Sequence, residues 1–263
     1  MHPVLFTIGT FTIGTYGLAL SIAFGAGLAL AYFRAKKEGE NPEHVFSLCV
    51  WVILAGIVGA KFLLIVIDIP YFLENPSELS GIWRLGGVWW GGPILGALVA
   101  WLYTRRRKMA FLRIADILSP SIALGVAIGR LGGCFMAGCC YGEATNSAFA
   151  VVFTNEYSHT MFGTPLNIPI HPAQLYNSLA NLINFAILML VYRNKKFNGQ
   201  IFFLYVMVYS VGRFVTEYFR GDPRGSISLF TWTLSTSQFI GLVAFVAAGI
   251  SYYLLRRKAM KRT

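Results

Sequence analysis

Seven windows of roughly twenty residues are almost free of charge, and short polar or basic segments separate them. They cover residues 11–33, 45–67, 86–103, 114–135, 174–192, 201–219 and 237–255. A hydrocarbon layer about 30 Å thick takes about 20 helical residues rising about 1.5 Å each. The pattern therefore predicts an all-α polytopic membrane protein, with seven transmembrane helices forming a single domain over residues 1–263.

Composition supports the same class. Only 13% of the residues are charged, 56% are hydrophobic and 15% aromatic, more apolar surface than one soluble core of this size can hide. Four cysteines are too few to staple a secreted scaffold. The net charge of +11 raises the question of a nucleic-acid partner, and the positions of the basic residues answer it. Arg34, Lys36 and Lys37 follow the first window, and Arg105, Arg106, Arg107, Lys108 and Arg113 lie between the third and fourth. Arg193, Lys195 and Lys196 follow the fifth, and Arg256, Arg257, Lys258, Lys261 and Arg262 end the chain. The opposite side has Arg84, Arg220 and Arg224. Basic residues near span ends stay on the cytoplasmic side, so the N-terminus is expected in the periplasm and the C-terminus in the cytoplasm of a bacterial inner membrane. No nucleic acid is called for. Residues 1–10 lack the basic start of a cleaved leader, and the first span is read as retained. The repeated TIGT at 7–10 and 12–15 is too short to signal internal symmetry.

Lys61, Arg130 and Arg213 lie inside the windows, where a charge costs several kcal/mol unless paired or hydrated. At the helical rise, Lys61 and Arg130 fall about 24 Å from the cytoplasmic end of their spans and Arg213 about 18 Å. Three cations at similar depth predict a polar cavity open toward the outer leaflet with room for an anion. Tyr209, Arg213 and Glu217 recur at i, i+4 and i+8, with Arg220 a turn further on, giving one polar stripe. Arg213 and Glu217 are spaced for an ion pair, either a structural bridge or part of a functional site. Lys61 also has a bland explanation, snorkelling to the outer headgroups.

GRLGGCFMAGCCYG, residues 129–142, has six glycines. It is expected to leave the helix and present backbone N–H groups beside Arg130; close packing of helices through small residues is the plainer alternative. Cys134, Cys139 and Cys140 lack the paired spacing of zinc sites, and with Cys49 they read as small buried side chains. No metal or cofactor is expected. His171 stands beside a span start with polar neighbours. The segment 143–169, with a strand-like stretch at 149–153, predicts a small periplasmic cap.

These residues resemble the prolipoprotein diacylglyceryl transferase family. The likeness includes Tyr16 in TYGL, the GAK at 59–61, GGVWWGGPILG from Gly86, the glycine-rich signature from Gly129 to Gly142, and AVVF in the outer segment. It continues through HPAQLY at 171–176 and YSVGRFVTEYFRGDPRG from Tyr209. The motifs occur in order over nearly the whole chain. The resemblance implies transfer of the diacylglyceryl group from phosphatidylglycerol to the lipobox cysteine of a preprolipoprotein, recognised through its signal-peptide region, with glycerol 1-phosphate leaving. It implies phospholipid binding by Arg130, Arg213, Gly142 and Lys61, and catalytic roles for Arg213, Tyr209, Glu217, Tyr16 and His171. Membrane lipids are the other expected partners.

The chain also departs from the family pattern. Trp90 stands before Gly91 and Gly92 where many relatives have a histidine, and indole is no general base. Cys134 and Cys139 replace a common Asn and Glu, the signature is one residue longer within Gly132 and Gly133, and Asn177 follows HPAQLY in place of a common Glu. Rival readings are a carrier of an anionic lipid or small anion, which intramembrane arginines would serve equally well, and a thiol oxidoreductase using Cys139 and Cys140. Spans four and six do not look like repeated halves, and no second cysteine pair is present to relay electrons.

Overall fold

The structure, a computed structural model, describes residues 2–9, 11–82, 87–88, 90–222, 225–229 and 232–261. Arg84, Arg224, Arg262 and the Gly86 and Trp89 of the third window lie outside them. The elements run β1 (Val4–Ile8), β2 (Phe11–Gly14), α1 (Thr15–Lys37), α2 (Pro42–Ile67), α3 (Ile69–Glu74), α4 (Gly91–Arg106) and α5 (Phe111–Ile128). They continue with α6 (Phe135–Ala137), β3 (Val151–Val152), α7 (Glu156–Phe162), β4 (Pro169–Ile170), α8 (Ala173–Tyr192), α9 (Gln200–Glu217), β5 (Ser226–Leu229), β6 (Trp232–Ser235) and α10 (Thr236–Met260).

Among the described residues, five helical segments are long and apolar enough to cross a membrane: α1, α2, the continuous run Phe111–Ala137, α8 and α10. The windows at 86–103 and 201–219 correspond to α4, only 16 residues long, and α9, whose polar stripe lowers its apolar content. The chain is mainly helical but not all-α as expected, because three two-stranded antiparallel sheets are present among the described residues. The TIGT repeat supplies one of them. β1 and β2 pair Thr7 with Thr12 and Ile8 with Phe11, so the first long helix begins at Thr15 and not at Phe11. β5 and β6 form a second hairpin that runs directly into α10. There the Ser235 hydroxyl accepts from the Gln238 N–H and the Gln238 side chain accepts from the Ser235 N–H, a reciprocal cap.

The chain divides into two compact units, one of residues 31–114 and one of residues 1–30 with 115–263. In the smaller unit, the Asn41 side chain caps α2 by accepting from the N–H groups of Glu43 and His44, with Pro42 in the first turn. Gly59 on α2 and Gly91 on α4 pack backbone to backbone, and a Cβ on either would run into the other's carbonyl oxygen. The GAK and GGP stretches thus meet because neither carries a side chain at the crossing. Val88 donates to the Ala60 carbonyl at 3.0 Å beside this contact.

In the larger unit α1 packs on α5 and the turn that follows it through small residues, with Ala19, Ala23 and Gly27 against Gly132, Gly125 and Ser121. The buried face of α8 is polar. Gln174, Asn177, Ser178, Asn181 and Asn184 are all buried and recur at helical spacing. Ser178 donates to the Ala127 carbonyl at 2.8 Å, Asn184 to the Tyr205 carbonyl at 3.3 Å and Asn177 to the Thr216 hydroxyl at 3.4 Å. In hydrocarbon such bonds hold helices together where apolar contacts give no net drive. Asp116, fully buried on α5, accepts from the N–H groups of Gly199 and Phe202 at 2.8 and 2.9 Å and pairs with Lys195 at 3.4 Å. It thereby caps the start of α9 from a neighbouring helix.

The segment 143–169 and the residues flanking it form a small cluster of their own. β3 pairs with β4, α7 follows, and Tyr141, Phe153 and Ile170 form its core with Val151 and Leu166.

Candidate active site

The glycine-rich signature leaves the helix as expected, but only from Gly138 onward. Residues Gly129–Cys134 form a π-turn in which the Phe135 N–H donates to the Arg130 carbonyl, and the helix continues to Ala137. A π-turn widens the ring of each hydrogen bond by one residue, the adjustment that one extra residue within a helix demands. The glycines let neighbouring groups come close. A Cβ on Gly133 would meet the Tyr16 ring at 3.3 Å, so Tyr16, exposed at the start of α1, lies over the π-turn.

Arg130 projects from this turn into a group of sulfurs. Its Nη1 donates to Cys134 Sγ at 3.5 Å and to Cys140 Sγ at 3.1 Å. Tyr209 on α9 lies within electrostatic reach of the same guanidinium, and Tyr16 within reach of Arg130 and the three cysteines. Tyr209 also lines a narrow cleft between α8 and α9 with Asn177, Asn181, Gly212 and Arg213. Tyr209 is therefore close to both Arg130 and Arg213.

Arg213 is half-buried and pairs with the buried Glu217. Its Nη2 lies 2.6 Å from Glu217 Oε2, with the two side chains 12% and 5% exposed, and it also donates to the Ser237 hydroxyl at 3.2 Å. The Ser235 hydroxyl donates to Glu217 Oε1 at 2.7 Å. The carboxylate thus ties the end of α9 to the start of α10 while fixing Arg213.

Arg220 is the residue that sequence reasoning assigned no role. Just past the end of α9, it makes a two-point pair with Asp222 at 2.8 and 2.7 Å and also donates to Cys140. Burial works against its charge, but Asp222 and Cys140 more than offset this, and the guanidinium is held above its ordinary range. The Cys140 thiol is drawn below the usual thiol range by hydrogen bonds from Cys134 and Cys139, with Arg130 and Arg220 adding to the effect against the opposing influence of burial. The sequence signal for Arg220 was its position one turn beyond Glu217 on the polar stripe.

Gly142 forms a bridge to Arg220 and is boxed in by backbone. A Cβ there would run into the His171 carbonyl oxygen and lie 2.6 Å from that of Phe219. His171 Nδ1 is hydrogen-bonded to the Tyr176 hydroxyl at 3.2 Å, and its ring stacks edge-on against Phe219. His171 and Gly142 thus form one side of the site through their backbone crossing, with the imidazole in an aromatic trio. Lys61, half-buried on α2, and Trp90, at the start of α4, belong to the smaller unit.

The sequence profile of the prolipoprotein diacylglyceryl transferase family matches residues 3–254. The chain belongs to this family. It is 38% identical over 246 residues to a phosphatidylglycerol--prolipoprotein diacylglyceryl transferase of Clostridium tetani, covering 94% of each chain. It is 32% identical to a second such transferase of Clostridium perfringens, covering 100% of this chain and 99% of that one. A third, from Finegoldia magna, is 30% identical over 99% of this chain and 98% of its own length. The family's tyrosine, arginine and glutamate positions as carried over from the sequence resemblance, Tyr16, Arg130, Tyr209, Arg213 and Glu217, all fall within the larger unit.

Proposed function

We propose that the protein transfers the diacylglyceryl group of phosphatidylglycerol to the lipobox cysteine thiol of preprolipoproteins, the first step of lipoprotein maturation. The observation that carries the reading is that Tyr209 lies close to two half-buried guanidiniums, interacting with Arg130 and lining a cleft between two helices together with Arg213. The donor is an anionic phosphodiester that resides in the bilayer. Displacement at its glyceryl carbon turns it into a leaving phosphomonoester with more negative charge. Fixed guanidiniums in a site shielded from water favour that change, since charge-assisted bonds gain most where charge develops. In this reading Arg130 and Arg213 hold the phosphate, Tyr209 and Tyr16 orient headgroup oxygens, and Glu217 keeps Arg213 in place. Gly142 lets the backbones of His171 and Phe219 close against one another beside Arg220, and His171 supports the site from the cap side. The enzyme works in the bacterial inner membrane with seven spans, the N-terminus in the periplasm and the C-terminus in the cytoplasm.

The test is incubation of the purified protein with phosphatidylglycerol and a lipobox peptide, reading thioether-linked diacylglycerol by mass. Arg130→Ala and Arg213→Ala are expected to abolish transfer while the protein still folds. Flux of anion or lipid in vesicles without any transfer would overturn the reading in favour of a carrier.

A further inference from the structure

The proposed reaction needs the acceptor thiol as a thiolate, yet the position ahead of Gly91 is Trp90 and the His171 imidazole is engaged with Tyr176. The structure supplies another route. Cys134, Cys139 and Cys140 place their sulfurs all within 4.8 Å of one another, and none is in a disulfide. Their spacing along the chain predicts no such cluster. It arises because the π-turn presents Cys134 and because two of the next residues are left-handed, Gly138 at φ 85° and Cys140 at φ 61°. A residue with a Cβ pays a steric cost in that conformation, and here it turns the Cys140 sulfur back toward Cys134 and Arg130.

We propose that these three thiols form a site for a thiophilic divalent ion of the Zn2+ class, and that its open fourth position takes the acceptor cysteine of the peptide substrate. Sulfur ligands at about 2.3 Å around a tetrahedral ion lie roughly 3.8 Å apart, against the 4.8 Å within which the three sulfurs already lie. Three thiolates around a divalent ion leave one net negative charge. Arg130, which donates to Cys134 and Cys140, and Arg220, which donates to Cys140, supply counter-charge and the outer hydrogen bonds that orient ligands. Three protein ligands also leave one position vacant, the pattern of catalytic rather than structural zinc sites.

This proposal rests on the transfer reading above. The acceptor S–H bond breaks as its sulfur bonds the ion, and the proton goes to water. The sulfur then attacks the glyceryl carbon and forms the thioether C–S bond. The C–O bond to phosphate breaks, and its electron pair leaves with glycerol phosphate, whose charge Arg130 is placed to meet. The thioether is a weak ligand and departs.

The experiment uses the full-length protein in detergent, stripped of metal and titrated with Co2+, reading the thiolate-to-cobalt charge-transfer band and bound metal per chain. One ion per chain is expected, displaced by Zn2+. Cys134→Ser, Cys139→Ser and Cys140→Ser should each weaken it by at least about tenfold, with Cys49→Ser unchanged. A lipobox peptide should shift the band, and the same peptide with serine for its cysteine should not. No band, or a band that survives replacement of all three cysteines, overturns the site; a band insensitive to the peptide overturns the open position. Full transfer by metal-stripped protein would overturn the metal's role and leave the transferase reading standing. A normal cobalt band with no transfer under any condition would do the reverse.

Discussion

Replacing Glu217 separates the two meanings left open for its pairing with Arg213. The pair is short, 2.6 Å, and its side chains are 12% and 5% exposed, so water screens it little. Removing one partner of such a pair typically costs about 3–5 kcal/mol, because the other charge is left buried without its counter-ion. Glu217→Ala should therefore lower the thermal midpoint in a fixed detergent by roughly 6–20 °C, at about 2–4 °C per kcal/mol for a chain of this size. Glu217→Gln keeps an acceptor for Arg213, and Ser235 can reverse its hydrogen bond. It gives up only the charge-assisted part, about 1–2 kcal/mol. The double variant Arg213→Met with Glu217→Leu removes both charges and should recover most of the midpoint, since apolar pairs of similar size often match a buried ion pair. Transfer should nevertheless be lost, because no guanidinium is left on α9 to meet the phosphate. A double variant as unstable as Glu217→Ala would refute the charge argument. A double variant that is stable and fully active would reduce the pair to a structural bridge.

Four other outcomes follow from the same geometry. Arg130→Lys keeps the charge but not the planar fork, and the rate of transfer is expected to fall at least about tenfold with folding unchanged. Asp116→Ala strips the acceptor from the Gly199 and Phe202 N–H groups and the partner from Lys195; a loss of about 3 kcal/mol or more should appear in thermal unfolding, with Asp116→Asn milder. Gly142→Ala cannot be housed between the backbones of His171 and Phe219, so the protein should accumulate poorly, and any that folds should lose transfer. Gly91→Ala should force α2 and α4 apart at Gly59 and cost about 1–3 kcal/mol in the thermal midpoint, a cost of overpacking.

Much of this was legible in the sequence, for reasons that differ from residue to residue. The long helices announced themselves because hydrocarbon demands uninterrupted apolar length, a property of composition that needs no knowledge of neighbours. The Arg213 and Glu217 pair was legible because both partners sit on one helix at i and i+4, where spacing alone fixes proximity. The TIGT hairpin was missed because its alternating Thr and Ile extend an apolar run that hydropathy cannot tell from a helix start. The polar face of α8 was present as Asn177, Asn181 and Asn184, at intervals of four and three, and its meaning depended on which helices those side chains reach.

The cysteines mark the limit of such reading. Metal-site spacing is recognised in sequences because common sites build their ligand pairs from one standard turn, and C-x4-C-C fits none of these. Here the turn is not standard. A helix that opens into a π-turn rotates Cys134 relative to an ideal α-helix by the better part of a residue's step, and two left-handed residues then fold Cys140 back over it. Neither feature has a sequence signature as sharp as a paired C-x2-C. Both fall within the glycine-rich signature, next to Arg130. Packing accounts for small side chains at these positions, but not for three metal-avid sulfurs within 4.8 Å of one another with the Arg130 guanidinium donating to two of them.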